Sequence, residues 1–192
     1  MSIREQYNIP QDSKILLYVG NISENKNQRQ MVEAFDLLPQ ELQQNTYVLF
    51  CGGLRPEDRL KELISSQSYF SHLIICGAVE KSDMPSYYMA ADAVVLLSHS
   101  EGFGLSLIEG MHFGLPCAMF SDLDAFDDIF DECAVVAIKS RDNSSVSNGI
   151  KRLLTSRWNK KSIADYSHKF ESSAMAQSYV ELYKSVAENQ AK

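Results

Sequence analysis

The feature that most constrains this chain is a strand–turn–helix junction. Ala93-Val94-Val95-Leu96-Leu97 is an apolar run with no polar alternation, the mark of a strand buried on both faces of a parallel sheet. It is followed by Ser98-His99-Ser100-Glu101-Gly102-Phe103-Gly104-Leu105-Ser106-Leu107-Ile108-Glu109. Gly104, Leu107, Ile108, Met111 and Leu115 recur at helical spacing, and Gly114 and Pro116 supply the stop. Such a junction lies at the carboxyl edge of an open α/β sheet, where ligands bind. The unpaired N–H groups of the first helical turn, together with the macrodipole, favour an anion there. Gly102 and Gly104 let a ligand approach the backbone. Glu101 lies in the turn and Glu109 about two turns into the helix. Carboxylates repel phosphate, so they fit this position if the ligand also presents hydroxyls, as a ribose and a sugar do. Otherwise they are solvated charges, which a helix tolerates well.

The remaining chain repeats the alternation. Strands are expected at 14–19, 46–51, 73–76, 93–97, 117–120 and 134–138, and helices after Asn27, over 57–66, after Ser82 or Asp83 with Pro85 in the first turn, over 143–155 and over 172–187. This predicts an α/β, doubly wound, mostly parallel sheet of about six strands with right-handed crossovers. A chain of 192 residues suits one domain over 1–192. Its net charge of −7 argues against a nucleic-acid partner. No segment has the apolar length to span a bilayer, and the N-terminus lacks a secretion-signal layout. Cys51, Cys76, Cys117 and Cys133 form no Cys-x-x-Cys pair and have no zinc-spaced histidines. They read as reduced thiols, and no metal is expected, the acidic run 122–132 reading as a helix start with a solvated face. The turn Gly20-Asn21-Ile22-Ser23-Glu24-Asn25-Lys26-Asn27 ends the first strand but matches neither a dinucleotide fingerprint nor a P-loop. Ser106 is not in a nucleophile elbow.

Residues 98–116, SHSEGFGLSLIEGMHFGLP, resemble the Glu-x7-Glu signature of the family 4 retaining nucleotide-sugar glycosyltransferases. The resemblance implies the C-terminal, donor-binding Rossmann-like half of a GT-B enzyme, with the acceptor-binding N-terminal domain absent. It implies a retaining hexosyltransferase acting in glycan or cell-surface polysaccharide biosynthesis. The donor would be a UDP- or GDP-sugar and the acceptor a glycan or lipid-linked sugar. No cofactor would be needed, and the location would be cytoplasmic, at most peripheral to a membrane in the full enzyme. Carried over by position, Lys26 and Glu101 are the catalytic residues. Lys26 and the N–H groups of Gly102, Phe103, Gly104 and Leu105 meet the leaving diphosphate, Glu101 holds the transferred sugar, Glu109 takes the ribose and the loop at Val79 the base. Asn21 stands where the family usually has an arginine, leaving one cation for the diphosphate instead of two. A lone His99 beside Glu101 is more often structural than catalytic. Two alternatives remain: a non-catalytic nucleotide-sugar binding module, favoured by Asn21 and the missing half, and an epimerase of similar shape, disfavoured by the Glu-x7-Glu spacing. The last helix carries Ala176, Tyr179, Val180 and Tyr183 on one stripe, and in similar enzymes it reaches the partner domain. Part of that stripe is therefore expected to lie open.

Overall fold

The computed structural model describes residues 1–54 and 59–190. The elements in order are α1 (Ile3–Gln6), β1 (Lys14–Val19), α2 (Gln28–Phe35), α3 (Gln40–Gln44), β2 (Thr46–Cys51), α4 (Leu60–Ser65), β3 (Leu73–Gly77), α5 (Met84–Ala90), β4 (Ala93–Leu96), α6 (Leu105–His112), β5 (Cys117–Phe120), α7 (Phe126–Ile129), β6 (Val135–Ile138), α8 (Asn143–Thr155), α9 (Lys160–Ser167) and α10 (Ser172–Gln190). The six strands form one sheet in the order β3-β2-β1-β4-β5-β6, and every neighbouring pair is parallel. The doubly wound reading of the sequence holds.

The apolar runs become strands because both of their faces are covered. Ile15, Leu16, Leu17 and Tyr18 of β1 and the whole of β4 are buried, as central parallel strands must be. One helical group sets α2 against α4 and α8, and another sets α6 against α9. Helix α6 lies so close on β4 that a Cβ at Gly110 would stand 2.4 Å from Val94 Cγ2. Any larger residue there would push the helix off the strand and displace the turn that precedes it.

Strand order reverses between β1 and β4. In α/β proteins the crevice that binds ligands lies outside the carboxyl ends of the strands at such a reversal.

Several details differ from the sequence reading. Helix α4 begins at Leu60; the first part of the expected helix, at Glu57 and Asp58, lies outside the described residues. Helices α3 and α9 have no counterpart among the expected elements. In α9 only Ile163 and Ser167 are buried, too few to make a stripe. Helix α8 falls where expected and is capped by Asp142, whose Oδ1 accepts from Ser145 N–H at 2.8 Å. Helix α10 leaves its apolar stripe open, with Tyr179 54% and Tyr183 68% exposed. Among the described residues no helix is long and apolar enough to cross a membrane.

Candidate functional site

The loop after β1 meets the loop after β4 at the switch point, and side chains staple the two together. The Asn25 side-chain amide donates to Ser100 O and accepts from Ser100 N–H, each at 3.1 Å, while His99 N–H donates to Asn25 O at 2.7 Å. Beneath them the wholly buried Tyr18 hydroxyl donates to Lys26 O and accepts from Leu97 N–H at 2.8 Å. Burial raises the Tyr18 phenol well above its ordinary value, so it remains a neutral bridge. Arg141 grips Asp122 through two nitrogens at 2.8 and 3.0 Å. The same guanidinium lies over the Phe120 ring and donates to Ser98 O and His99 O at 3.2 and 3.3 Å. It holds the Asp122 carboxyl below its usual range.

These staples bring Lys26 and Glu101 together, the pair singled out as catalytic. Lys26 Nζ lies 2.5 Å from Glu101 Oε2, with the side chains only 27% and 14% exposed. Ser98 Oγ donates to the same oxygen at 3.3 Å, and Gly104 N–H reaches Glu101 Oε1 at 3.4 Å. The Lys26 stem lies against Gly20. The first loop is shaped from below by Gln28, which is 1% exposed. Its amide donates to Gly20 O and Asn21 O and accepts from Ser23 N–H.

The N–H groups of Gly102, Phe103, Leu105 and Ser106 find no acceptor among the described residues. They mark the start of α6, where a helix presents donors and its positive dipole end to an anion.

Gly104 is needed for a reason other than ligand access. Its φ is +71°, a conformation that side-chain-bearing residues avoid, and a Cβ would stand 2.9 Å from Ile129 Cδ1 in the interior. Of the two glycines in this turn, Gly102 is the one with open space at its Cα. The Phe103 ring packs edge-on against Phe170, so what it offers the turn is its backbone.

The remaining candidates line one cleft of about 330 Å³, walled by Gly20, Asn21, Gly52, Gly53, Val79, Met84 and Glu109 among others. Glu109 Oε2 accepts from Tyr88 OH at 2.7 Å; burial first, and then this bond, push the Tyr88 phenol well up. Asn21 is engaged: its Oδ1 accepts from Gly53 N–H at 3.1 Å. His99 instead borders a larger cavity of about 660 Å³ with Asn27, Arg29 and Arg59. That cavity shares no residue with the 330 Å³ cleft, and neither Lys26 nor Glu101 lines either of them. Size does not choose the site here; the convergence of charge and free N–H groups does.

Sequence reasoning missed Tyr18, Asn25, Gln28 and Arg141. Tyr18, Asn25 and Arg141 act through partners far away in sequence and Gln28 through backbone groups of the loop just before it, and only the place of Tyr18 in an apolar strand hinted at a polar task.

The sequence profile described as "Glycosyl transferases group 1" matches residues 2–171. The O-antigen chain mannosyltransferase B of Escherichia coli is 32% identical over 123 residues, covering 63% of this chain and 32% of that protein. Among solved structures, sucrose-phosphate synthase from Thermosynechococcus elongatus superposes with a TM-score of 0.80 at 25% identity, over 97% of this chain and 48% of that one. Anabaena Alr3699/HepE in complex with UDP and glucose shares the fold, with a TM-score of 0.76 at 19% identity over 95% of this chain and 51% of that one. The chain thus spans about a third of the curated relative and about half of the solved ones.

Proposed function

Because the chain belongs to the group 1 glycosyl transferases, we propose that it is the donor-binding half of a retaining glycosyltransferase, holding a nucleotide-diphosphate sugar at the β1–β4 switch point. The observation that carries this reading is the Lys26–Glu101 pair at 2.5 Å beside the unpaired N–H groups opening α6. An ammonium has three donors, so Lys26 keeps Glu101 and also takes a phosphate oxygen. As the sugar–phosphate bond breaks, negative charge grows on the diphosphate. Fixed donors already aimed at that position stabilise it most where the charge is greatest. Glu101, tied by Lys26, Ser98 and Gly104, holds the sugar beside the breaking bond. Glu109, braced by Tyr88, accepts hydrogen bonds from the ribose hydroxyls, and the loop at Val79 meets the base.

The names of the relatives support a sugar donor: a mannosyltransferase of O-antigen chains, a sucrose-phosphate synthase, and a protein solved with UDP and glucose. They favour a place in polysaccharide biosynthesis, with a glycan or lipid-linked sugar as acceptor. The acceptor half is supplied by a further domain, because a cleft needs two walls to exclude water and orient both substrates.

A second reading, a non-catalytic nucleotide-sugar binding module, is favoured by Asn21. An amide bound to Gly53 stands where the family usually offers a cation. Release of labelled sugar onto acceptor, measured with this chain alone and with an acceptor-binding domain joined to it, tests the two. We expect nucleoside diphosphate binding in both preparations and transfer only in the joined one. Binding without transfer in either favours the module. Robust transfer by the isolated chain overturns the half-enzyme reading.

A further inference from the structure

The far end of α6 carries a second side-chain cluster that the reading above does not use. His112 closes α6, His168 opens the 3₁₀ turn between α9 and α10, and Glu171 ends that turn just before α10. One ligand atom from each lies within 4.8 Å of the others, and all three residues are exposed. The arrangement is partly ordered: His168 Nδ1 stands 2.5 Å from Glu171 Oε1. His112 Nδ1 lies 3.5 Å from Ser167 Oγ, and the two imidazoles meet edge to face with centroids 5.8 Å apart.

A hydrogen-bonded His–Glu pair accounts for His168 and Glu171 but not for the second imidazole beside them. Two protonated histidines at this spacing repel. Two neutral ones facing a carboxylate are a donor set suited to borderline divalent cations, imidazole nitrogen and carboxylate oxygen being the usual ligands of zinc and cobalt. The site also lies at the carboxyl end of α6, where the helix dipole favours a cation. The cations near it are Lys81, in the wall of the adjoining cavity, and Lys169, whose ammonium is turned onto the Tyr166 and Phe170 rings.

We propose that His112, His168 and Glu171 form a binding site for a zinc-like divalent cation that fastens the entry of α10 to the end of α6. The three ligands come from two segments far apart in the sequence, so the site exists only once α9 has packed on α6. That explains why no zinc spacing is visible in the sequence. Three protein ligands leave a coordination position open. His112 and Glu171 also line a cavity of about 380 Å³ together with Tyr88 and Glu109. The open position therefore falls to water or to an oxygen of a molecule held in that cavity.

The test is titration of the metal-free chain with cobalt(II), followed in visible absorption, with zinc affinity measured by calorimetry. We expect one equivalent of cobalt with the ligand-field bands of a low-coordinate nitrogen–oxygen site, displaced by zinc. His112→Ala and His168→Ala should each weaken zinc at least ~10-fold, the lower end of what losing even an outer-sphere partner costs. Zinc should raise the thermal midpoint of the parent more than that of either variant at the same concentration. All three side chains are exposed, so these variants keep the fold, and Glu171→Gln gives an independent third check. Absence of ligand-field bands overturns the proposal. So does an affinity unchanged by both histidine variants, or a thiolate-to-cobalt charge-transfer band placing the ion on a cysteine.

Discussion

At the β1–β4 switch point, charged and polar side chains are fixed before any ligand arrives. Tyr18 bridges Lys26 and Leu97, Asn25 clasps Ser100, Arg141 holds the carbonyls of Ser98 and His99, and Lys26 closes on Glu101. At the β2–β3 end the wall rests on backbone contacts, Gly52 N–H to Gly77 O at 2.8 Å and Ile22 N–H to Gly53 O at 2.9 Å. The Asn21 amide is the side chain that adds to them. Val79 is half-buried and presents only an apolar surface. The difference follows the chemistry expected of each end. A charged diphosphate rewards preorganised donors, since fixed dipoles need no reorganisation when charge develops. A base and ribose bind by burial and a few hydrogen bonds, and they tolerate a wall that settles around them.

The first way to break the comparison is to loosen the stapled end from beneath. Tyr18→Phe leaves Lys26 O and Leu97 N–H without their partner. At 1–3 kcal/mol for each buried group left unmade, the loss is about 2–6 kcal/mol. The thermal midpoint should fall by several degrees, roughly 2–4 °C per kcal/mol for a chain of this size, and diphosphate affinity should fall more than nucleoside affinity. A midpoint within a degree of the parent would show that the staple contributes nothing.

Glu109→Ala probes the open end. Tyr88 OH retains Ser106 O at 3.3 Å, so the fold should persist. Nucleoside and nucleoside diphosphate should weaken equally, by about 1–3 kcal/mol for hydrogen bonds to a charged acceptor. Unequal loss in isothermal titration would remove Glu109 from the ribose.

The smallest effect is expected for Asn21→Arg. A second cation favours the diphosphate, but the change also removes the acceptor of Gly53 N–H, a bond worth about 1 kcal/mol. The net tightening should be a few-fold and should shrink as salt rises. Weaker diphosphate binding would mean that Asn21 matters as a wall of the cleft and not as a vacant cation position.

The sheet, its order of elements and the two glutamates were legible because they rest on local signals. Apolar runs such as Ile15–Tyr18 announce buried strands, and the Gly102–Gly104 turn between a strand and a helical stripe announces the carboxyl edge. The staples were not legible. Tyr18 reads as one more apolar strand residue, and Asn25 and Arg141 each as one polar loop residue among several. Their partners lie on loops brought near by the parallel pairing of β1 with β4 for Tyr18 and Asn25, and of β4 with β5 and β5 with β6 for Arg141. Gly104 reads from the sequence as a place for a ligand to approach the backbone, whereas its missing Cβ faces Ile129, a distinction that spacing cannot make. Helix α9 escaped for a related reason: Ile163 is its single buried apolar residue, and one anchor sets no period.

The most direct test of the donor-site reading is a calorimetric comparison of UDP, GDP and ADP with their nucleosides, on the parent chain and on Lys26→Ala. Removing the ammonium takes away a charge-assisted contact worth about 1.5–3 kcal/mol and leaves Glu101 uncompensated beside the phosphates. The diphosphate should therefore weaken by at least ~10-fold while the nucleoside changes little, and Glu101→Gln in the same chain should restore part of the loss. An unchanged diphosphate affinity in a folded Lys26→Ala chain would contradict the assignment and leave the Glu101–Glu109 spacing as a mark of ancestry alone.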